Sequence, residues 1–170
     1  NLITLLKTKN HSYTLGHSTR LRGVINNFKI NSIMIAFEGP EVILGISIED
    51  LKAELNDLSR LGQLLPEGAV KDFTSNGDKC SFKVKGGVSI HLEKDLSELA
   101  DNVLIKLNTV SPTPVKFSLE AVAVTHEDGI SCRVRSDADL NPFTKMMVEP
   151  ALKSLFNEMA EGMKQKFPVS

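Results

Sequence analysis

Apolar residues recur along this chain with two different periods, and the switch between them outlines a fold. Residues 142–167 carry Phe143, Met147, Leu155, Met159, Met163 and Phe167 at multiples of four, with Met146, Leu152 and Phe156 beside them. That spacing predicts one long amphipathic helix, with Lys145, Glu149, Lys153, Glu158, Glu161 and Lys164 on its remaining surface. Asn141 is placed to cap its start, Pro142 suits a first turn, Pro150 predicts a bend and Pro168 ends it. Such a helix spans about 37 Å, the width of a small domain.

Upstream, residues 35–45 read as a first strand, with Glu38-Gly39-Pro40 as an irregularity in it. Ser47 followed by Asp50 predicts a helix start, and Ile48, Leu51, Leu55 and Leu58 form the stripe of a short helix. Asn56-Asp57 breaks it, and Asp57 caps a second short helix holding Leu61, Leu64 and Leu65. From Val70 the period becomes 2. Residues 70–75 read as a strand, and Asn76-Gly77 and Asp128-Gly129 are two-residue hairpin signals. Four inward rows alternate with polar residues between and beyond them. They are Cys80, Phe82 and Val84; Val88, Ile90 and Leu92; Val103, Ile105 and Leu107; and Val115, Phe117, Leu119, Ala121 and Ala123. Ile130, Cys132, Val134 and Ser136 make the last row, opposite Ser131, Arg133 and Arg135.

The fold class this predicts is α+β: about seven antiparallel strands in a curved sheet wrapped on a long C-terminal helix, with two short helices after the first strand. One sheet face is charged and wet. The other is dry and needs covering, and the terminal helix alone is large enough to cover it. A cavity between the two is the expected result.

Composition adds limits rather than detail. The 170 residues suffice for one domain with a core, at 41% hydrophobic and 24% charged. No apolar run approaches a membrane span, and a net charge of -1 supplies no drive toward nucleic acid or anionic lipid. The charge is uneven: residues 1–33 hold Lys7, Lys9, Arg20, Arg22 and Lys29 and no acid. We therefore expect two regions, a basic N-terminal extension over 1–33 and a domain over 34–170. The extension reads as a transit-like segment, as a disordered or loosely docked tail, or as an addition ahead of a functional start at Met34. Cys80 and Cys132 read as buried apolar side chains in a reducing compartment, so the expected location is cytoplasmic.

Three segments carry a resemblance. Leu64-Leu65-Pro66-Glu67, Cys80-Ser81-Phe82-Lys83-Val84-Lys85-Gly86, and Asp137-Ala138-Asp139-Leu140-Asn141-Pro142 with Lys145-Met146-Met147 occur in the order seen in a small bacterial subgroup of START-like proteins. The chain over about 34–167 resembles that superfamily, known also as SRPBCC and including polyketide cyclase-type and plant-allergen-type proteins. The resemblance implies the helix-grip fold and a hydrophobic cavity for lipids, sterols, polyketides or similar molecules. Some members catalyse reactions there and others only bind or carry, and fold alone does not choose.

Motifs for catalysis are sparse. No GxSxG elbow, HExxH pair or phosphate-binding glycine loop occurs, and Lys85-Gly86-Gly87 reads as a turn. Neither a metal site nor a cofactor is expected. Asp137 and Asp139 read as a charge cluster ahead of the helix or, alternatively, as an acid and base. His91 and His126 read as surface residues. The domain lacks Trp and Tyr, which weighs against enolate chemistry through a phenol.

The first reading is therefore a binder or carrier of a hydrophobic or amphipathic small molecule, leaning away from an enzyme. The residues expected to line its site are Phe82, Val84, Ile90, Leu92, Val103, Ile105, Phe117, Leu119, Cys132 and Val134 on the sheet, with Phe143, Met146 and Met147 on the helix. Ordinary core packing is the first account of the methionines there, and the alternative is that they adapt a cavity to varied ligands. The alternatives are a cyclase or hydratase using Asp137 or Asp139 as base, and a non-catalytic protein-interaction module. Expected partners are the hydrophobic ligand and, weakly, further copies of the chain, with no nucleic acid and no integral membrane association.

Overall fold

The structure is a computed structural model and describes residues 32–170. The expectations for the basic extension fall outside the described residues, except at its last two positions. The elements run β1 (Ile33–Glu38), β2 (Val42–Leu44), α1 (Ile48–Asn56), α2 (Leu58–Leu61) and a 3-10 turn over Gly62–Leu64. There follow β3 (Lys71–Asn76), β4 (Lys79–Lys83), β5 (Ser89–Lys94), β6 (Val103–Thr109), β7 (Lys116–His126), β8 (Gly129–Leu140) and α3 (Pro142–Lys166). The sheet is eight-stranded in the order β1-β8-β7-β6-β5-β4-β3, and β2 also pairs with β8. Every pairing is antiparallel. A curved antiparallel sheet with a long terminal helix is the α+β arrangement that the periods predicted, and it is the helix-grip fold that the resemblance implied.

The first strand is two strands. β1 lies along 140–135 of β8 and β2 along 132–130. Between them the chain leaves the ladder at Gly39 and Pro40, and Pro40 has no N–H to donate. The Gly39 N–H still donates to the Val134 carbonyl at 2.8 Å. Both predicted hairpins form, but each turn sits one residue from its expected place. Asn76 pairs with Lys79, so Gly77 and Asp78 are the loop, with Gly77 at φ +59°. His126 pairs with Gly129, so Glu127 and Asp128 are the loop.

The inward rows form one core except at Val88, which precedes β5 and is exposed, with Leu92, Cys132 and Ala138 almost fully enclosed. Val103 departs from its expected row. The β6–β7 register shifts between Val103, which pairs with Val122, and Ile105, which pairs with Ala121. A bulge of this kind adds one residue and reverses the alternation beyond it. Leu104 joins Ile105 in the core, while Val103 is buried outside that cluster.

The cover of the dry face is also more divided than expected. Ser47 caps α1 by accepting the Asp50 N–H at 3.1 Å, and α1 packs on β6 and β7 through Leu51 and Leu55. Asp57 caps α2, whose Leu58 and Leu61 are buried against β3. α3 covers β8, β2 and β1. Its start is fixed by a capping box in which Asn141 Oδ1 accepts the Thr144 N–H and Thr144 Oγ1 accepts the Asn141 N–H, at 2.9 and 3.0 Å. The helix is continuous through Pro150.

Only the second half of α3 is sealed. Leu152, Leu155, Phe156, Met159, Ala160, Gly162 and Met163 are buried, whereas nothing from Pro142 to Ala151 is. Phe143, Met146 and Met147 are 71%, 78% and 66% exposed, which corrects their expected place on the inward stripe. The reason is geometric. A residue advances by about 100° around a helix, so a spacing of four drifts by about 40° each step. From Phe143 to Met159 the row has rotated by roughly 160° and ends on the opposite side. The residues of the first half in line with the buried direction are Lys145, Val148 and Glu149, all half-buried.

Candidate functional site

The dry face gathers nine of the sequence-predicted site residues. Phe82, Ile90, Leu92, Ile105, Phe117, Leu119, Cys132 and Val134 are buried members of one cluster, and Val84 packs partly buried against it. Phe73 stacks on Phe82 with ring centroids 6.2 Å apart, which extends the aromatic surface toward the β3 edge. Val103 is displaced by the bulge, and Phe143, Met146 and Met147 stand on the far side of α3. Residues that were on neither the predicted site nor the predicted inward rows, but that the structure adds to the core, include Leu104, Phe37, Ala138 and Leu140. Phe37 and Ala138 were legible only once the β1–β8 pairing was known.

α3 meets this face unevenly. Phe156 lies over the Gly39 bend, so closely that a β-carbon on Gly39 would come within 2.9 Å of the Phe156 Cβ. Gly39 is therefore needed for contact rather than for an unusual backbone angle. Toward the helix start, the inward ends of β1 and β8 carry Ile35, Ala138 and Leu140, and the helix offers only half-buried Thr144, Lys145, Val148 and Glu149. Glu149 is tied to Lys153 at 2.9 Å, and this contact, opposed by burial, holds its carboxyl below the usual range.

Two hollows stand out on the described residues, and neither of these two is the cavity expected between sheet and helix. One, of about 240 Å³, lies chiefly on the outer face among Glu38, Glu41, Val122, Ser131, Arg133 and Arg135. Its charges are already paired: Arg133 reaches Glu38 at 3.0 Å and Glu41 at 2.9 Å. Glu41 also accepts a hydrogen bond from the Ser131 hydroxyl, which lowers its pKa against the effect of burial and with help from Arg133. The second, about 600 Å³, is an open depression between the β7–β8 hairpin and the C-terminal residues Val169 and Ser170.

The acidic and histidine candidates lie outside the dry face. Asp137 and Asp139 are exposed on the outer row of β8, which removes them as acid and base of an internal site. His126 is exposed at the hairpin. His91 is half-buried on the outer row, and its backbone N–H and carbonyl are held by the Thr113 hydroxyl at 2.7 and 3.1 Å. Cys80 and Cys132 are buried free thiols, and burial pushes their pKa values up to about 11 and about 12. Among the described residues, no group of three or more His, Cys, Asp or Glu is arranged to hold a metal ion, and no helix is long and apolar enough to cross a membrane.

No family model matches the chain, and no curated protein matches it significantly. Solved structures do match. Norcoclaurine synthase from Thalictrum flavum is 16% identical, with 91% of this chain and 96% of that chain covered at a TM-score of 0.60. The same enzyme in complex with dopamine and hydroxybenzaldehyde gives 17% identity, the same coverage and a TM-score of 0.60. The Zhui aromatase/cyclase from a Streptomyces species is 15% identical over 80% of this chain and 98% of that chain, at a TM-score of 0.54. At such identities the likeness concerns the backbone path, and that path agrees with the pairing and packing described above. The chain shares the helix-grip fold of these solved structures.

Proposed function

We propose that this protein binds or carries a hydrophobic or amphipathic small molecule between the dry sheet face and the first half of α3. One observation carries the reading. The second half of α3 is sealed by seven buried residues, while the first half closes the same sheet with half-buried side chains alone. A ligand entering there displaces few apolar contacts and gains the walls formed by Phe117, Ala138 and Leu140. Burial at about 25 cal/mol per Å² of apolar area drives binding, less the cost of association. The fold is shared with an enzyme solved in complex with dopamine and hydroxybenzaldehyde, small molecules of this general kind.

Native mass spectrometry of the purified chain, alone and after incubation with lipids, sterols and aromatic polyketides, tests the reading. The expected result is a bound mass that persists under gentle ionisation and competes within one chemical class. A chain that stays unliganded against the whole panel, with no change in melting temperature, overturns it. A catalytic reading is not favoured by any residue on the dry face: the chemistry-bearing side chains Asp137, Asp139 and His126 are on the other side or at the hairpin.

A further inference from the structure

The inward row of β8 contains one polar residue. Ile130, Cys132, Val134, Ala138 and Leu140 are all buried members of the core, and Ser136 stands between Val134 and Ala138. It is 2% exposed and pairs across β1 with Phe37, itself buried. Its hydroxyl oxygen has no hydrogen-bond partner. The other buried polar residues differ on both counts. Ser131 donates to Glu41, Glu120 accepts from Arg135, and Ser118 accepts from the Asp137 N–H, all on the outer row. Buried hydroxyls are nearly always satisfied, because leaving one unpaired in apolar surroundings is costly. An orphan in the one place where the fold faces its binding region asks for a partner that comes from outside the chain.

We infer that Ser136 is the polar anchor of the internal site, and that the ligand is an otherwise apolar molecule carrying a hydroxyl or carbonyl group that hydrogen-bonds the Ser136 hydroxyl. The inference rests on the proposed binding region and narrows its ligand class. A serine hydroxyl both donates and accepts, so it serves an alcohol, a phenol or a ketone. It carries no charge, so it selects against a buried carboxylate or ammonium, which would lack a counter-ion on this face. The position also sets depth. Phe156 covers the neighbouring Val134–Gly39 contact, so the ligand's polar group lies inside the sealed edge and its apolar body extends toward the α3 start.

The test uses 2-naphthol and naphthalene, which differ by one hydroxyl, titrated by fluorescence into the full chain and into Ser136→Ala. In the wild type the hydroxyl gains a partner, so the ratio of the two affinities falls about fivefold in the variant. The unliganded variant is expected to melt about 2–6 °C higher, because an unsatisfied hydroxyl has been removed. An unchanged affinity ratio overturns the role of Ser136 and leaves the binding site standing. A variant that melts lower overturns it too, since the hydroxyl would then hold the fold. If neither probe binds either protein, the proposed site itself fails and this inference falls with it.

Discussion

Gly162 of α3 stands directly against the backbone carbonyl of Leu64, at the end of the 3-10 turn. A β-carbon at Gly162 would overlap that carbonyl oxygen and approach the Pro66 ring at 3.2 Å. The sealed half of the grip is thus fastened to the short helices by a glycine in an ordinary helical position. Two effects compete in Gly162→Ala. Alanine favours the helix by about 1 kcal/mol, but overpacking against backbone that cannot rotate away costs about 1–3 kcal/mol or more. The clash prevails, and urea denaturation is expected to show a lower midpoint with an unchanged slope. A variant as stable as the parent would mean that the two segments are not in contact.

Met147→Asp and Val148→Asp are neighbours with opposite expected outcomes. Met147 is 66% exposed on the outer side of α3, so a charge there should shift stability by no more than about 0.5 kcal/mol and leave ligand uptake intact. Val148 packs against the core, where an unpaired carboxylate costs about 1–3 kcal/mol. Its variant should melt lower and lose ligand. Equal effects in thermal shift and native mass spectrometry would place the helix face wrongly.

Glu120 gives the outer face a pH dependence. Its side chain is 10% exposed and lies 2.7 Å from Arg135 and 3.2 Å from Lys106. Burial alone raises its pKa, but the contacts with Arg135 and Lys106 outweigh it and hold the carboxyl below the ordinary 4.5. A depressed carboxylate stabilises the fold above the unfolded-state value and stops doing so as pH falls through the folded one. Glu120→Gln is therefore expected to cost about 1 kcal/mol at pH 7. The gap between variant and parent should close below pH 4.5. Melting curves from pH 7 to pH 3 check this, and a gap that does not narrow contradicts it.

Both cysteines should resist modification in the native state. Thiolate is the reactive form, and burial keeps Cys80 and Cys132 protonated with pKa values of about 11 and about 12. At pH 8 a chromogenic disulfide reagent is expected to label neither thiol until denaturant is added, and then both. Rapid labelling of one thiol in the folded chain would mean that its strand opens locally.

The alternation from Cys80 to Ser136 placed nearly every strand residue on its observed face, because a pleat has period 2 and a dry face tolerates few polar side chains. It failed at Val103. Nothing in Val103-Leu104-Ile105 distinguishes a bulge from a regular strand, since all three residues are apolar, and the extra residue is visible only against Val122 and Ala121 across the ladder. The helix stripe failed for another reason. Phe143 and Met163 belong to one row by counting in fours, but counting does not include the drift, and Phe143 and Met147 at the start of the row face away from the sheet.

The sequence by itself determined the order of elements, the antiparallel connections, the caps at Ser47, Asp57 and Asn141, and the dry side of the sheet. These depend on neighbours within a few residues, or on a periodicity that local backbone geometry imposes. Tertiary structure alone decided the division of β1 from β2, the length of α3 that is sealed, and the isolation of the Ser136 hydroxyl. Each of those depends on what stands opposite, a strand or helix up to about a hundred residues away along the chain, and no local pattern records it.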